Sequence, residues 1–369
     1  MIYDFAIKLR LLQIGINMRL KQYDIAKGIA LVSVIFIHTC GIPLIGKYVH
    51  GFFMPIFFFV SGFFLYNSLS HPFKDFLRDK IYRLLCPWAI GNCFIGVTIL
   101  CLRSYGINIV DNKISWQQIM LGWMYGRYML MSDIGNPLIL FLNPINAPLW
   151  FLPAIFLSSL CLYPLSRILN AEKRVLKTLL IITVLALIQK PFNMSVYLLP
   201  WSMDSLPILV LFMLFGYLFR QNIERIDSIL TNKLTNAIIM FFLTIIYCVL
   251  VNLNGMVNIS LRNFGNFYIV YVTAGLIGSF LAIQYSKMIM GIKVSALFSL
   301  LGRKTMPIFM FHMLVIGCLK EFLGLVGITF SLVENIAAYY LKNCILIVIT
   351  IIIILVAEVI WKKVFLKSK

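Results

Sequence analysis

The chain has 369 residues, of which 61% are hydrophobic and 12% charged, and its formal net charge is +19. A soluble globular domain is about half apolar and about one quarter charged, so this composition predicts an integral membrane protein. The positive charge lies in small clusters between apolar runs, which argues against nucleic-acid binding and favours charge that orients a membrane protein.

The first 23 residues are basic and partly apolar. We expect residues 1–23 to be an N-terminal cytoplasmic or interfacial segment, and translation to begin at either Met1 or Met18. No small-residue cleavage site follows the first apolar run. This pattern indicates an uncleaved first span rather than a signal peptide.

Ten apolar runs then follow, and a helix that crosses a bilayer needs about 20 mostly apolar residues. The fifth and sixth runs are the shortest. The predicted spans are 25–45, 50–69, 84–102, 147–165, 176–190, 204–219, 236–252, 267–285, 305–322 and 343–361. We therefore predict an all-α protein, a polytopic transmembrane helical bundle whose partner is the lipid bilayer.

The distribution of lysine and arginine predicts the orientation. With both termini cytoplasmic, 23 of the 32 basic residues lie in inner segments and 8 lie in outer segments or at the span ends bordering them. This bias follows the positive-inside rule. It makes residues 362–369 a basic cytoplasmic tail.

The first span carries three polar residues, Asp24, Lys27 and His38. His38 follows Lys27 by eleven positions, which puts both on one face of a helix with a rise of about 16 Å between them. Asp24 can pair with Lys27 three residues later. Lys27 alone could reach back to the headgroups, and His38 alone could be a packing residue, but neither explanation requires a shared face.

The second span and the turn after it contain further polar positions. Pro55 is expected to kink the second span, and Ser61 with Gly62 is expected to allow close helix approach or polar lining. Lys80 and Arg83 lie three residues apart near the membrane. Such a pair could dock a phosphate or simply set the topology.

Two later segments and one loop complete the candidate regions. Trp150 lies in "NAPLWFLPA" and suits an aromatic belt, while His312 is a second histidine inside a span. The loop 103–146 is rich in Trp, Tyr and Met and is expected to pack on the outer membrane face or to re-enter. The eight cysteines form no CxxC pair, so neither a metal site nor a disulfide framework is predicted.

In this order the segments resemble the acyltransferase-3 family of bacterial membrane acyltransferases, especially its fucose-4-O-acetylase-like branch. The family pattern begins with Asp-x-x-(Arg/Lys), then ten residues and a histidine, and continues through four more segments. The matching positions are Asp24, Lys27 and His38, then 57–65, then Lys80, Arg83 and Pro87, then "LWFLPA" at 149–154, and "LGRKTMPIFMFHML" at 301–314.

The chain departs from the pattern at two points. Lys80 stands where the family has arginine, which removes the fork geometry suited to phosphate. The chain also ends soon after the tenth span, so we expect no extracytoplasmic SGNH hydrolase-like domain of the kind that some members carry.

The resemblance implies that residues 24–361 form a transmembrane acyltransferase domain. The implied reaction transfers an acyl group, most often acetyl from acetyl-CoA, to a hydroxyl. The acceptor would be a cell-envelope or exported polysaccharide (O-antigen, capsule or exopolysaccharide) or its lipid-linked precursor, and the site a bacterial inner membrane. Acetyl-CoA would be a substrate, with no tightly bound cofactor and no nucleic-acid partner.

The resemblance also implies roles for particular residues. His38 would be the general base, with Lys27 orienting the donor and Asp24 holding Lys27; direct transfer and a covalent acyl-histidine both remain open. The phosphates of the donor would meet basic residues on the inner side, and three residues would line the substrate path. The donor-binding residues would be Lys27, Lys80, Arg83, Arg303 and Lys304, and the lining residues Ser61, Trp150 and His312.

Two other classes of protein share some of these features. A transporter or flippase of a glycan or lipid-linked intermediate would also have ten spans and buried charges, but it would not depend on acetyl-CoA. The third class is a purely structural assembly partner, whose function would not require Lys27 and His38 to share a helix face.

Overall fold

A computed structural model describes residues 2–40, 43–109, 115–127, 147–169, 174–195, 197–328, 330 and 336–365. This part of the chain is almost entirely helical, and it contains an isolated β bridge between Asn258 and Asn263. The α-helices are α1 (Ile2–Cys40), α2 (Pro43–His50), α3 (Phe53–Ser68), α4 (Phe73–Lys80), α5 (Cys86–Ser104), α6 (Trp116–Tyr125), α7 (Phe151–Leu169), α8 (Arg174–Met194), α9 (Leu206–Gln221), α10 (Ile223–Ile229), α11 (Lys233–Asn254), α12 (Tyr268–Met288), α13 (Val294–Arg303), α14 (Thr305–Leu325) and α15 (Ile336–Phe365).

The prediction of ten spans is confirmed. Ten stretches of the described residues are long and apolar enough to cross a membrane, where only structures that satisfy their own backbone hydrogen bonds are stable. They are Lys21–Cys40, Ile45–Ser68, Phe73–Ser104, Pro148–Leu169, Arg174–Met194, Pro200–Gln221, Lys233–Asn254, Tyr268–Met288, Thr305–Leu325 and Ile336–Lys363. The cytoplasmic position of both termini stays a prediction.

The spans divide into a central group and a peripheral group. Pro148–Leu169 and Pro200–Gln221 are each 72% buried within their most apolar stretch, whereas Arg174–Met194 is 6% buried. A helix that leaves its apolar side chains uncovered in this way contacts lipid. The candidate functional residues therefore have to be sought among the central helices.

Glycines bring α3 and α9 into direct backbone contact. A Cβ atom on Gly62 would overlap the carbonyl of Met213, and a Cβ atom on Gly216 would overlap the carbonyl of Phe59. Small residues allow this approach, which supplies close van der Waals packing between helices in lipid. The expected close approach at Gly62 is confirmed.

Helix α13 was not predicted, because residues 286–304 lie between two of the predicted spans. Its ten residues are too few to cross a bilayer. Its small residues, Ser295, Ser299 and Gly302, are buried, and a Cβ atom on Gly302 would overlap the backbone carbonyl of Asp24 in α1. Helix α13 thus supports the part of α1 that carries Asp24 and Lys27.

One expectation about helix shape is wrong. The third span begins at Phe73 rather than at 84, and α4 continues through a π-helical turn, Ile81–Leu85, into α5. Pro87 lacks the N–H needed for a regular α-helical bond, which favours the wider turn just before it. Pro55 lies in the first turn of α3, shortly after Gly51 and Phe52, where the second span is interrupted between α2 and α3, and the kink expected from Pro55 stays a prediction.

The structure describes the N-terminal segment and part of the long loop. Residues 2–23 are helical and continue into the first span as one helix, α1, and their cytoplasmic or interfacial position stays a prediction. In the loop 103–146, α6 packs on α5, where Trp123 lies directly over Gly96. The Tyr125 hydroxyl donates to the carbonyl oxygen of Leu198 at 2.6 Å. Residues 110–114 and 128–146 of this loop lie outside the described residues.

Candidate active site

Two cavities lie along the central helices, and Phe309 of α14 lines both of them. The larger, of about 450 Å³, contains three basic side chains, and we call it the basic cavity. The smaller, of about 250 Å³, contains two histidines, and we call it the histidine cavity. The basic cavity is lined by Lys27, Phe57, Val60, Ser61, Phe64, Leu65, Ser68, Lys80, Arg83, Leu84, Phe151, Leu152, Ile155, Ser159, Thr305, Met306 and Phe309. The histidine cavity is lined by Val34, Ile37, His38, His50, Phe53, Met54, Pro148, Trp150, Asn258, Ile259, Ser260, Phe309 and Met313.

Helix α1 connects the two cavities through the pair that its spacing singled out. Lys27 lines the basic cavity and His38 lines the histidine cavity. The predicted pair of Asp24 and Lys27 is present, with 2.9 Å between Oδ1 and Nζ. Both side chains are partly accessible, so the lysine can contact Asp24 and a molecule in the cavity at once.

The end of α4 and the π-helical turn that follows it present the other two basic groups. Lys80 and Arg83 both line the basic cavity, as the three-residue spacing indicated. Asp79 contacts both of them: its carboxylate is 2.6 Å from Arg83 Nε and 3.7 Å from Lys80 Nζ. Asp79 was not predicted as a site residue, although its spacing of four residues from Arg83 is typical of an ion pair on one helix face. The carboxylate keeps the two cations at one wall of the cavity.

The remaining donor-binding candidates lie elsewhere. Arg303 is exposed, and Lys304 forms an ion pair with Glu358 at 2.7 Å. Neither residue is among those that line the basic cavity. Their clustering in sequence reflects the end of α13 rather than a common site.

The three lining candidates have different positions. Ser61 lines the basic cavity and Trp150 lines the histidine cavity. His312 lines neither cavity, although it lies on the same face of α14 as Phe309 and Met313, which line the histidine cavity. His312 is instead fully buried, with its ring centroid 5.4 Å from that of His38.

His50, Asn258 and Ser260 join the site without having been predicted. His50 was expected to be an interface residue at a span end, but it lines the histidine cavity. Ser260 donates from its hydroxyl to Asn258 Oδ1 at 2.7 Å, so both polar groups of this loop are ordered beside the cavity. Asn and Ser in a polar loop are common in any connection, so the sequence carried no specific signal for them.

A network of buried charged side chains supports the loop that carries Asn258 and Ser260. Asp204 accepts hydrogen bonds from Arg127 and Arg262, and Arg127 Nη1 also donates to the carbonyl oxygen of Ser260 at 2.8 Å. Burial lowers the pKa of the Arg127 guanidinium to about 10, while the Asp204 carboxylate acts in the opposite direction. Arg127 therefore remains charged at neutral pH and holds the Ser260 backbone at the histidine cavity.

The sequence profile of the acyltransferase-3 family, described as an acyltransferase domain, matches residues 20–360. This range contains both cavities and all ten spans except the last few residues of α15. No curated protein and no solved structure matches the chain. The protein is a multi-pass membrane acyltransferase, and the chain belongs to the acyltransferase-3 family.

Proposed function

We propose that this acyltransferase moves an acetyl group from acetyl-CoA to a hydroxyl of a cell-envelope or exported polysaccharide, or of its lipid-linked precursor. The proposal includes the fucose-4-O-acetylase-like branch and a bacterial inner membrane as its location. One observation carries it: Lys27 and His38 lie on one helix, line different cavities, and those cavities share Phe309. A donor and an acceptor could therefore approach one reacting centre from two sides.

The basic cavity suits a phosphorylated donor. Its volume of about 450 Å³ lies within the usual range for small-molecule sites, about 300–1,000 Å³. Lys27, Lys80 and Arg83 supply cations for phosphate groups, while the aromatic wall of Phe57 and Phe151 suits an apolar chain. With both termini cytoplasmic, this cavity faces the compartment that contains acetyl-CoA.

The histidine cavity suits a sugar. Trp150 and Phe53 offer flat apolar surfaces, and Asn258, Ser260 and His50 offer hydrogen-bonding groups beside them. A binding site that is mostly apolar, with a few polar groups of fixed position, can orient one hydroxyl of a polar ring. In this proposal that hydroxyl is turned toward His38.

His38 acts as the general base. A sugar hydroxyl is a very weak acid, so its attack on a thioester requires a group that takes its proton as the new bond forms. Histidine is the side chain best suited to accept that proton near neutral pH. The O–H bond breaks, the C–O bond to the acetyl carbon forms, the C–S bond breaks, and the departing thiolate receives a proton. Lys27, held by Asp24, orients the donor for this step.

The test is complementation of a strain that lacks the gene. The wild-type protein and the variants His38→Ala, Lys27→Ala, His71→Ala and Lys74→Ala are compared at matched protein levels, and acetylated envelope glycan is measured by mass spectrometry and NMR. His71 and Lys74 are exposed, and neither lines a cavity, so they are matched controls. We expect His38→Ala to abolish acetylation and Lys27→Ala to reduce it strongly, with the controls unchanged.

Full acetylation by a well-folded His38→Ala protein would remove His38 from the mechanism. Loss of surface glycan without any change in acetylation, and without dependence on acetyl-CoA, would instead identify a transporter or flippase. The mass gain of one acetyl group on the glycan separates the two functions, because a flippase leaves its substrate unmodified.

A further inference from the structure

One ring nitrogen of His312 has hydrogen-bond partners, and the other has none among the described residues. It is fully buried in α14, and its Nδ1 lies 2.9 Å from the carbonyl oxygen of Phe309 and 3.2 Å from that of Ile308. Carbonyl oxygens only accept hydrogen bonds, so Nδ1 carries the proton and Nε2 presents an unprotonated lone pair. Among the described residues no hydrogen-bond partner for Nε2 is found.

A histidine that serves only for packing leaves this arrangement unexplained. Buried polar atoms nearly always have a hydrogen-bond partner, and an orphaned acceptor lowers stability. The two ring neighbours of His312 are Phe309, at 6.0 Å between centroids, and His38, at 5.4 Å. Of these only His38 can donate a hydrogen bond to Nε2.

The two histidines differ in their access to the cavity. The His38 side chain is accessible and lines the histidine cavity. The His312 side chain is fully buried and does not line that cavity. At 5.4 Å between centroids, a small rotation of the His38 ring or a single bridging water would join one nitrogen of each ring. Catalytic hydrogen bonds are often long before the substrate binds and tighten in the complex.

We propose that His312 is a positioning residue, whose Nε2 accepts a hydrogen bond from the ring N–H of His38, directly or through one water. This inference rests on the proposed function. The bond places the single proton of neutral His38 on the nitrogen that faces His312, and the other nitrogen then presents its lone pair to the acceptor hydroxyl. Once His38 has taken the hydroxyl proton, the same contact stabilises the imidazolium until the proton passes to the thiolate.

The first test needs no acceptor. The full-length protein in lipid nanodiscs is labelled with ¹⁵N-histidine, and the His38 and His312 ring signals are assigned by replacing each residue in turn. We expect His312 to be protonated at Nδ1, and His312→Leu to shift the His38 ring signals while leaving those of exposed His71 in place. An Nε2-protonated His312, or unchanged His38 signals in the variant, would overturn the proposal.

The second test separates positioning from donor binding. Turnover is followed as release of the CoA thiol from acetyl-CoA, with envelope polysaccharide from the deletion strain as acceptor. We expect His312→Leu to lower kcat by about 10- to 100-fold, as loss of a residue that orients a functional histidine does, with the KM for acetyl-CoA unchanged. His312→Gln keeps an acceptor oxygen, and we expect it to recover part of the loss.

The outcomes are distinguishable from failure of the proposed function. A Leu variant with full kcat, or a Gln variant no better than Leu in a folded protein, contradicts the role of His312. A wild-type protein that transfers no acetyl group contradicts the proposed function, and the NMR experiment then still decides whether the two rings are coupled.

Discussion

Arg262 donates from Nη1 to Oδ2 of Asp204 at 3.1 Å, and both side chains are almost completely buried. Arg127 binds the other carboxylate oxygen, so the single negative charge of Asp204 is shared by two buried guanidinium groups. We predict that Asp204→Asn destabilises the protein by about 3–5 kcal/mol, because it leaves buried guanidinium groups without their counter-charge. Thermal unfolding of the purified protein in detergent measures the loss.

Asp227→Asn is the matched control. Asp227 pairs with Lys287 at 3.2 Å, and the lysine is 42% exposed, so this ion pair is screened by solvent. Pairs of this kind contribute about 0–1 kcal/mol. If the two Asp→Asn variants unfold at the same temperature, the buried network contributes no more to stability than the exposed ion pair does.

The contact between α3 and α9 leads to a second prediction. Because a Cβ atom on Gly62 would meet the Met213 backbone, Gly62→Ala must separate the two helices, and overpacking costs about 1–3 kcal/mol. We expect a lower unfolding temperature and a lower yield of folded protein. Gly324→Ala is the control, because that glycine also lies in a helix but has open space around it. Equal behaviour of the two variants would contradict this account of the interface.

The ten spans could be predicted because each is an apolar run long enough to be recognised on its own. Helix α13 could not be predicted in the same way. It has ten residues, and small polar ones such as Ser295 and Ser299 form its buried face, so its position depends on contact with α1 rather than on its own hydrophobicity. The wide turn at Ile81–Leu85 likewise required knowledge of how Pro87 is accommodated.

The same distinction applies to the site. Helical phase alone predicted the pair of Asp24 and Lys27, since both residues belong to one helix. The contact of His38 with His312, and the position of Phe309 between two cavities, depend on how distant helices cross. A single sequence contains no direct signal for such contacts, and His312 was therefore assigned to a cavity wall that it does not reach.

The basic cavity allows a third prediction, which tests donor binding. We expect Lys80→Ala and Arg83→Ala each to raise the KM for acetyl-CoA by about 10- to 100-fold with little change in kcat. A hydrogen bond to a charged group contributes about 1.5–3 kcal/mol, and these contacts are made equally in the ground state and the transition state. Steady-state kinetics at constant acceptor concentration measure both parameters.

Arg78→Ala is the control for those two variants. Arg78 lies on α4, pairs with Asp75 at 3.1 Å, and does not line the basic cavity. If only the positive charge at this membrane surface matters, all three variants will raise the KM for acetyl-CoA to the same extent. In contrast, a specific phosphate site predicts that Arg78→Ala retains the wild-type KM.

Phe309 leads to the last prediction, because its ring is the wall that the two cavities share. The ring packs against Phe151 at 5.0 Å between centroids and is almost completely buried, so a smaller side chain here would widen the connection through which water in the histidine cavity can reach a thioester held at the shared wall. We expect Phe309→Ala, and the milder Phe309→Leu, to increase the release of CoA from acetyl-CoA several-fold in the absence of any acceptor. Phe311→Ala on the same helix is the control, since Phe311 packs against Phe94 and lines neither cavity. If both Phe309 variants fold and hydrolyse acetyl-CoA no faster than the wild-type protein does, the ring is not the barrier between donor and water.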